Sequence, residues 1–119
     1  MTEHTGPIEV TDLPEVVRRY LRAHDVHDVP TVVATLAAEA TVEDDGRTYT
    51  GSAAIKGWLE QTNSEYTYTT TLVGAERLGL DQYVVVQHLE GDFPGGEVDL
   101  RYRFVLDEDG HIGRLVIAP

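Results

Sequence analysis
Cysteine is absent from the 119 residues. That excludes disulfides, thiolate catalysis and thiolate-ligated zinc or iron–sulfur centres. Basic residues are scarce: 9 Lys+Arg stand against 21 Asp+Glu, a formal net charge of −12. A chain of this sign is repelled by phosphate backbones and anionic lipid, so neither nucleic acid nor a membrane is expected as a partner. No stretch approaches the about 18 consecutive apolar residues that a membrane span needs. Met1 to Pro7 carries no basic segment followed by an apolar run, and the expected location is cytoplasmic. Repeats, low-complexity tracts and linkers rich in Pro, Gly and Ser are also lacking. Residues 11–119 therefore read as one domain behind a flexible N-terminal segment, residues 1–10. A domain of this length buries about two thirds of the surface its unfolded chain exposes and needs no staples.

What is present has a clear order. From Thr11 the signals are helical: Thr11 or Asp12 can cap, Pro14 suits a first turn, and Leu13, Val17, Tyr20, Leu21 and His24 recur at helical spacing. Asp25 to Pro30 breaks that helix, and Asp28 can cap a second, shorter one over 30–38 with Val32, Val33 and Leu36 facing in. Ala40 to Glu43 then leads into the turn Asp44-Asp45-Gly46, with Thr48 to Thr50 returning as a partner strand. Gly51-Ser52 opens a third helix, Ser52 its expected cap, with Ile55, Trp58, Leu59 and Thr62 on one face.

From Glu65 the period changes to two. Tyr66, Tyr68, Thr70 and Leu72 alternate with Thr67, Thr69, Thr71 and Val73, and Gly74 and Gly79 are expected to bracket a turn. Strands follow over 82–90, 97–106 and 111–118. In the second of these Val98, Leu100, Tyr102, Phe104 and Leu106 share one face, and Asp99, Arg101 and Arg103 the other. Three N-terminal helices packed on an antiparallel sheet give an α+β fold, and a strongly curved sheet would leave a cone-shaped pocket between the layers.

Few residues carry chemistry. Asp44 ends a strand where a carboxylate would face the space between helices and sheet, although such residues are often only turn formers. Asp45 reads as solvated, or as the substitute for Asp44 if the register differs. Tyr20 lies on an apolar helix stripe, where a tyrosine is commonly a core residue with its hydroxyl satisfied. His24 and His27 stand with Asp25 and Asp28 in a run that suggests metal ligands, but it straddles a helix end and lacks a third histidine, so no metal is expected. His88 is a candidate acid or base if its strand turns that face to the cavity, and the alternation leaves both faces open.

The order of elements and several residues resemble the NTF2-like superfamily, and within it the SnoaL-like and Δ5-3-ketosteroid isomerase families. The matching pieces are Arg19-Tyr20, Ala40-Thr41-Val42-Glu43-Asp44, Gly51-Ser52-Ala53-Ala54-Ile55, and Phe104 to Ile112 with its Asp107-Glu108-Asp109-Gly110 turn. The resemblance implies an NTF2-like cone (cystatin-like roll) and a cofactor-independent enzyme that moves a proton on a small apolar carbonyl compound, by isomerisation or polyketide-type cyclisation. It assigns Asp44 as general base and Tyr20 as hydrogen-bond donor to the enolate oxygen. The position of the family's second donor, a protonated aspartate, falls on Tyr102, whose phenol also donates. Two supporting tyrosines of the family correspond to Leu36 and Leu59. With Trp58, Phe104 and His88 these complete the expected ligand-binding set. A homodimer through the exposed sheet face is expected as well. The rival readings are a non-catalytic ligand-binding or dimerisation domain, and an epoxide hydrolase whose Asp-Arg-Asp set does not assemble from inward-facing residues here.

Overall fold
The computed structural model describes residues 5–119, and its three α-helices lie where apolar residues recur at helical spacing. Helix α1 (Glu15–Asp25) starts after Pro14, which serves as its N-cap, and buries Val17, Tyr20, Ala23 and His24. Helix α2 (Val29–Ala34) is capped by Asp28, whose carboxylate accepts the Thr31 amide at 3.3 Å and the Thr31 hydroxyl at 2.6 Å. It ends four residues earlier than expected, and Leu36 belongs to strand β2 (Leu36–Asp44). Pairing of β2 with the last strand outweighs the helical preference of its alanines.

Strand β3 (Arg47–Thr50) returns from β2 through a two-residue turn, Asp45-Gly46. Both turn residues have positive φ, 53° and 75°, as a type I′ hairpin demands. Helix α3 (Ser52–Glu65) is capped by Gly51 at φ 85°, and Ser52 is its first helical residue rather than the cap. Its inner face carries Ile55, Trp58 and Leu59, as the spacing predicts.

The remaining strands are β1 (Gly6–Ile8), β4 (Tyr68–Gly79), β5 (Gln82–Gly91), β6 (Glu97–Leu106) and β7 (Ile112–Ala118). One seven-stranded sheet joins them all in the order β1-β4-β5-β6-β7-β2-β3. The sheet is mixed rather than wholly antiparallel, because β2 pairs with β7 in parallel, from Leu36 opposite Ile112 to Asp44 opposite Ile117. Gly6 to Ile8 pairs with β4 as an edge strand, where the sequence suggests only loose chain. Residues 1–4 of that segment lie outside the described residues. No described helix is long and apolar enough to cross a membrane.

Gly74 is not a turn residue. Strand β4 runs through it, with a bulge between Leu72 and Gly74 that shifts the pairing. The extra residue reverses the alternation, so Leu72 and Ala75 both pack toward the core while Val73 between them is exposed. The chain turns instead at Leu80 and Asp81. Strand β6 alternates as expected: Tyr102 and Phe104 are buried, Arg101 and Arg103 exposed. In β5 the inward set is Tyr83, Val85, Gln87 and Leu89. The helices cover this inner face, and Tyr20, Ile55, Leu59, Phe104 and Leu115 make its centre.

Where β4 begins, Gly91 pairs with Tyr68, and a methyl group on Gly91 would overlap the Thr67 carbonyl and the Tyr68 backbone. Gly91→Ala should lower stability by about 2 kcal/mol in urea unfolding. At Gly74 an added Cβ meets nothing within 4 Å, so Gly74→Ala should stay within about 1 kcal/mol of wild type. Equal unfolding midpoints for the two variants would contradict this close approach.

Candidate functional site
Strand β2 sets the position of the carboxylate. Its buried residues Ala40 and Val42 face the core, and Asp44, two residues on, keeps that direction at the strand end. There it is half-buried. The Trp58 indole, on the inner face of α3, donates from Nε1 to Asp44 Oδ2 at 2.9 Å. Burial raises the Asp44 pKa above the usual carboxylate value, the Trp58 hydrogen bond pulls it back in part, and the charge of Asp45 raises it further. Desolvation wins.

Asp44 and Trp58 line a cavity of about 560 Å³ between the helices and the sheet. Tyr102 reaches it from β6, Tyr68 from β4 and His24 from α1. Leu89, Val98, Leu100 and Ile117 give it a hydrocarbon wall, and Tyr66 and Phe93 meet edge to face at 6.2 Å. Among the described residues no lysine or arginine stands in its lining. A ligand's anionic group would find no counter-ion there, whereas a neutral oxygen would find phenol donors.

The phenols are held protonated. Burial raises the Tyr102 pKa above its ordinary value, and the nearby Tyr68 and Asp44 add to it. Tyr20 is raised as well, first by complete burial and then by Tyr102, Tyr68 and Asp44. Both therefore remain O–H donors at any physiological pH.

Of the residues singled out in the sequence, Asp44, Trp58 and Tyr102 meet in the cavity wall. Tyr20 stands behind that wall with 0% exposure, edge to face with Phe104 at 5.3 Å, and its hydroxyl has no partner among the described residues. Leu36, Leu59 and Phe104 are core residues outside the lining. His88 is on the opposite face of the sheet, because β5 turns its odd-numbered residues inward. There its ring bonds Asp99 Oδ1 at 2.6 Å and Glu90 Oε1 at 3.1 Å, and these carboxylates raise its pKa, Asp99 first. Asp99 shares that outer face. His27, at φ 59°, follows the end of α1, and Asp28 caps α2, both serving the local backbone.

His24 is the cavity residue that sequence reasoning set aside. The signal was its place on the Tyr20 stripe, one helical turn further on. Its ring stacks on Tyr20 with centroids 5.7 Å apart and planes 10° from parallel. Burial lowers its pKa to about 4; the neighbouring His27 lowers it too, and Asp25 opposes the shift. The imidazole is therefore neutral at pH 7.

Comparison with known proteins agrees with this architecture. The SnoaL-like domain family matches residues 17–114. A Sinorhizobium meliloti protein named as a candidate polyketide cyclase is 31% identical in sequence. The match covers 93% of this chain and 100% of that one, with a TM-score of 0.86. Two more distant structures share the fold. One is a Catenulispora acidiphila protein with a ketosteroid isomerase-like fold, solved with trimethylamine: 22% identity, 89% and 85% covered, TM-score 0.77. The other is a Mycobacterium tuberculosis protein in complex with estradiol-17β-hemisuccinate: 17% identity, 87% and 90% covered, TM-score 0.73. No curated protein sequence matches significantly. The match over residues 17–114 and the 31% identity across the full length of the Sinorhizobium meliloti protein show that the chain belongs to the SnoaL-like domain family.

Proposed function
We propose that this protein is a cofactor-independent proton-transfer enzyme of the ketosteroid isomerase and SnoaL type, with Asp44 as its base and Tyr102 as the donor to an enolate oxygen. The observation that carries the reading is the half-buried Asp44 carboxylate, fixed by Trp58 at 2.9 Å in the wall of a cavity that also presents the Tyr102 phenol. A base needs a pKa drawn toward the working pH, and the apolar setting supplies it. Asp44 takes a proton from a carbon next to a ligand carbonyl, and the electron pair moves onto the carbonyl oxygen. Tyr102 stabilises that oxyanion by hydrogen bonding. Return of the proton to a different carbon isomerises the ligand. Attack of the same carbanion on a second carbonyl closes a ring.

The substrate class is a small, largely apolar carbonyl compound, steroid-like or polyketide-like. The hydrocarbon wall of Leu89, Val98, Leu100 and Ile117 and the lack of a lining cation support it. Crystal complexes of related folds with a steroid ester and with a small amine fit a scaffold that holds small molecules. Tyr20, the donor that the family resemblance implies, stands behind the wall with its hydroxyl closed off from the cavity, so the donor role falls to Tyr102. The reading includes a sheet curled into a cone over one domain, and a homodimer through the outer sheet face where Thr69, Thr71, Arg101 and Arg103 are exposed. A second reading, ligand binding without turnover, is favoured by the sealed Tyr20 hydroxyl.

Conversion of a β,γ-unsaturated ketosteroid to its conjugated enone, followed by absorbance, separates these. Asp44→Asn should reduce kcat/KM about 10²- to 10⁴-fold, the usual contribution of a general base. Tyr102→Phe should cost about 10²-fold. Saturable steroid binding with no turnover by wild type would contradict the catalytic reading and favour the binding one.

The pH profile gives a further expectation. Asp44 must be ionised to act, so kcat/KM should fall as pH drops through its pKa, which burial raises from the ordinary aspartate value. The Trp58 hydrogen bond favours the ionised form, so Trp58→Phe should move this acid limb to higher pH. An unmoved or lowered limb would remove Asp44 from the role of base.

A further inference from the structure
We propose that His24 is a ligand-contacting hydrogen-bond donor of the cavity, acting beside Tyr102 on the same ligand oxygen. The proposal rests on the reading of this cavity as a ligand site, and it gives a role to a group that the proton-transfer scheme leaves unused.

His24 is 8% exposed and is one of the residues that line the cavity. Its ring is fixed by aromatic contacts on several sides: the stack on Tyr20, the edge of Tyr102 at 6.2 Å, and Tyr68 at 6.4 Å. Its nitrogens make no hydrogen bond to the described residues. Three other side-chain atoms, Arg18 Nε, the Tyr20 hydroxyl and Gln87 Nε2, are likewise unpartnered but fully sealed. The His24 nitrogens are not sealed. A polar group left unpaired in a buried place costs about 1–3 kcal/mol, so a rigid imidazole held open toward a cavity is matched to a partner arriving there.

The local chemistry decides what that partner is. At the last turn of a helix the dipole would favour an imidazolium, and Asp25 pulls the same way. Burial and His27 outweigh both, leaving a neutral ring with one N–H donor. A neutral ring next to the Tyr102 and Tyr68 phenols attracts no anionic group by charge. It suits a carbonyl or hydroxyl oxygen, which can take the imidazole N–H and the Tyr102 O–H together. The ligand would then be anchored through one oxygen at this end, its hydrocarbon body lying along the apolar wall.

The test uses 2-naphthol and naphthalene, two fluorescent probes of the same body that differ by one hydroxyl. Titrations compare wild type with Tyr102→Phe, His24→Phe and His24→Gln. His24→Phe keeps the aromatic stack and removes the nitrogen. It should weaken 2-naphthol about tenfold and leave naphthalene within about twofold, the difference expected for one lost hydrogen bond. His24→Gln retains a donor and should recover most of the naphthol affinity. An equal loss for both probes, or no loss for naphthol, would overturn the donor role and leave His24 as packing. Should wild type bind neither probe, the ligand-site reading fails and the role of His24 falls with it. A variant-free check is the ¹⁵N spectrum of the histidine rings in wild type: the His24 nitrogens should shift with 2-naphthol far more than with naphthalene. Matching shifts for the two probes would contradict the proposal.

Discussion
The hydrogen bond from the Trp58 indole to Asp44, 2.9 Å long, is the contact on which the site depends. It joins α3 to the end of β2, the two elements that close the polar end of the cavity. A hydrogen bond to a charged group contributes about 1.5–3 kcal/mol, enough to fix a carboxylate rotamer. Its second effect is electrostatic, since it favours the ionised form that burial disfavours. Burial is the larger of the two, and Asp44 is left with a raised pKa. A carboxylate without Trp58 would be harder to ionise and freer to rotate. One without burial would be an ordinary weak base.

The rest of the fold holds that pair in register. Asp44 points into the cavity because β2 lies in parallel beside β7, with Val42 opposite Leu115 and Asp44 opposite Ile117. A slip of one residue would send Asp44 to the outer face and Glu43 inward, where Arg114, 2.8 Å from Glu43, could not follow it. The Asp45-Gly46 turn ends the strand immediately after the carboxylate, so Asp44 sits at the cavity wall rather than in the core. Across the cavity, the bulge in β4 lets that strand present Tyr68 at one end and Ala75 at the other to the same inner layer. At its start β4 is tied to the end of α1 by the Thr70 hydroxyl, which donates to Asp25 at 2.7 Å. That contact keeps Tyr68 beside His24.

What the sequence disclosed follows from which signals are local. The β6 alternation, the α3 stripe with Trp58 and the Asp28 cap each depend on neighbours within a turn or a strand, and each appears where expected. The place of Asp44 was legible for the same reason, a strand breaking into a turn. Features set by distant partners were not. Leu36 has the composition of a helix but is drawn into β2 by Ile112, far along the chain. Gly74 resembles a turn residue until β5 pairs through it. The alternation of β5 is equally apolar on both faces, so only the packed helices decide that His88 faces outward. His24 was obscured by His27, Asp25 and Asp28, polar neighbours that serve helix ends while His24 alone stays on the buried stripe.

The most direct measurement is the ionisation of Asp44 itself, followed by its carboxyl ¹³C shift across pH, with Asp44→Asn to assign the signal. A single transition is expected at a pH clearly above the ordinary aspartate value of 3.8. A transition at or below that value would mean that solvent or hydrogen bonding, rather than burial, governs the carboxylate. The cavity would then lack the base on which the proposed chemistry depends.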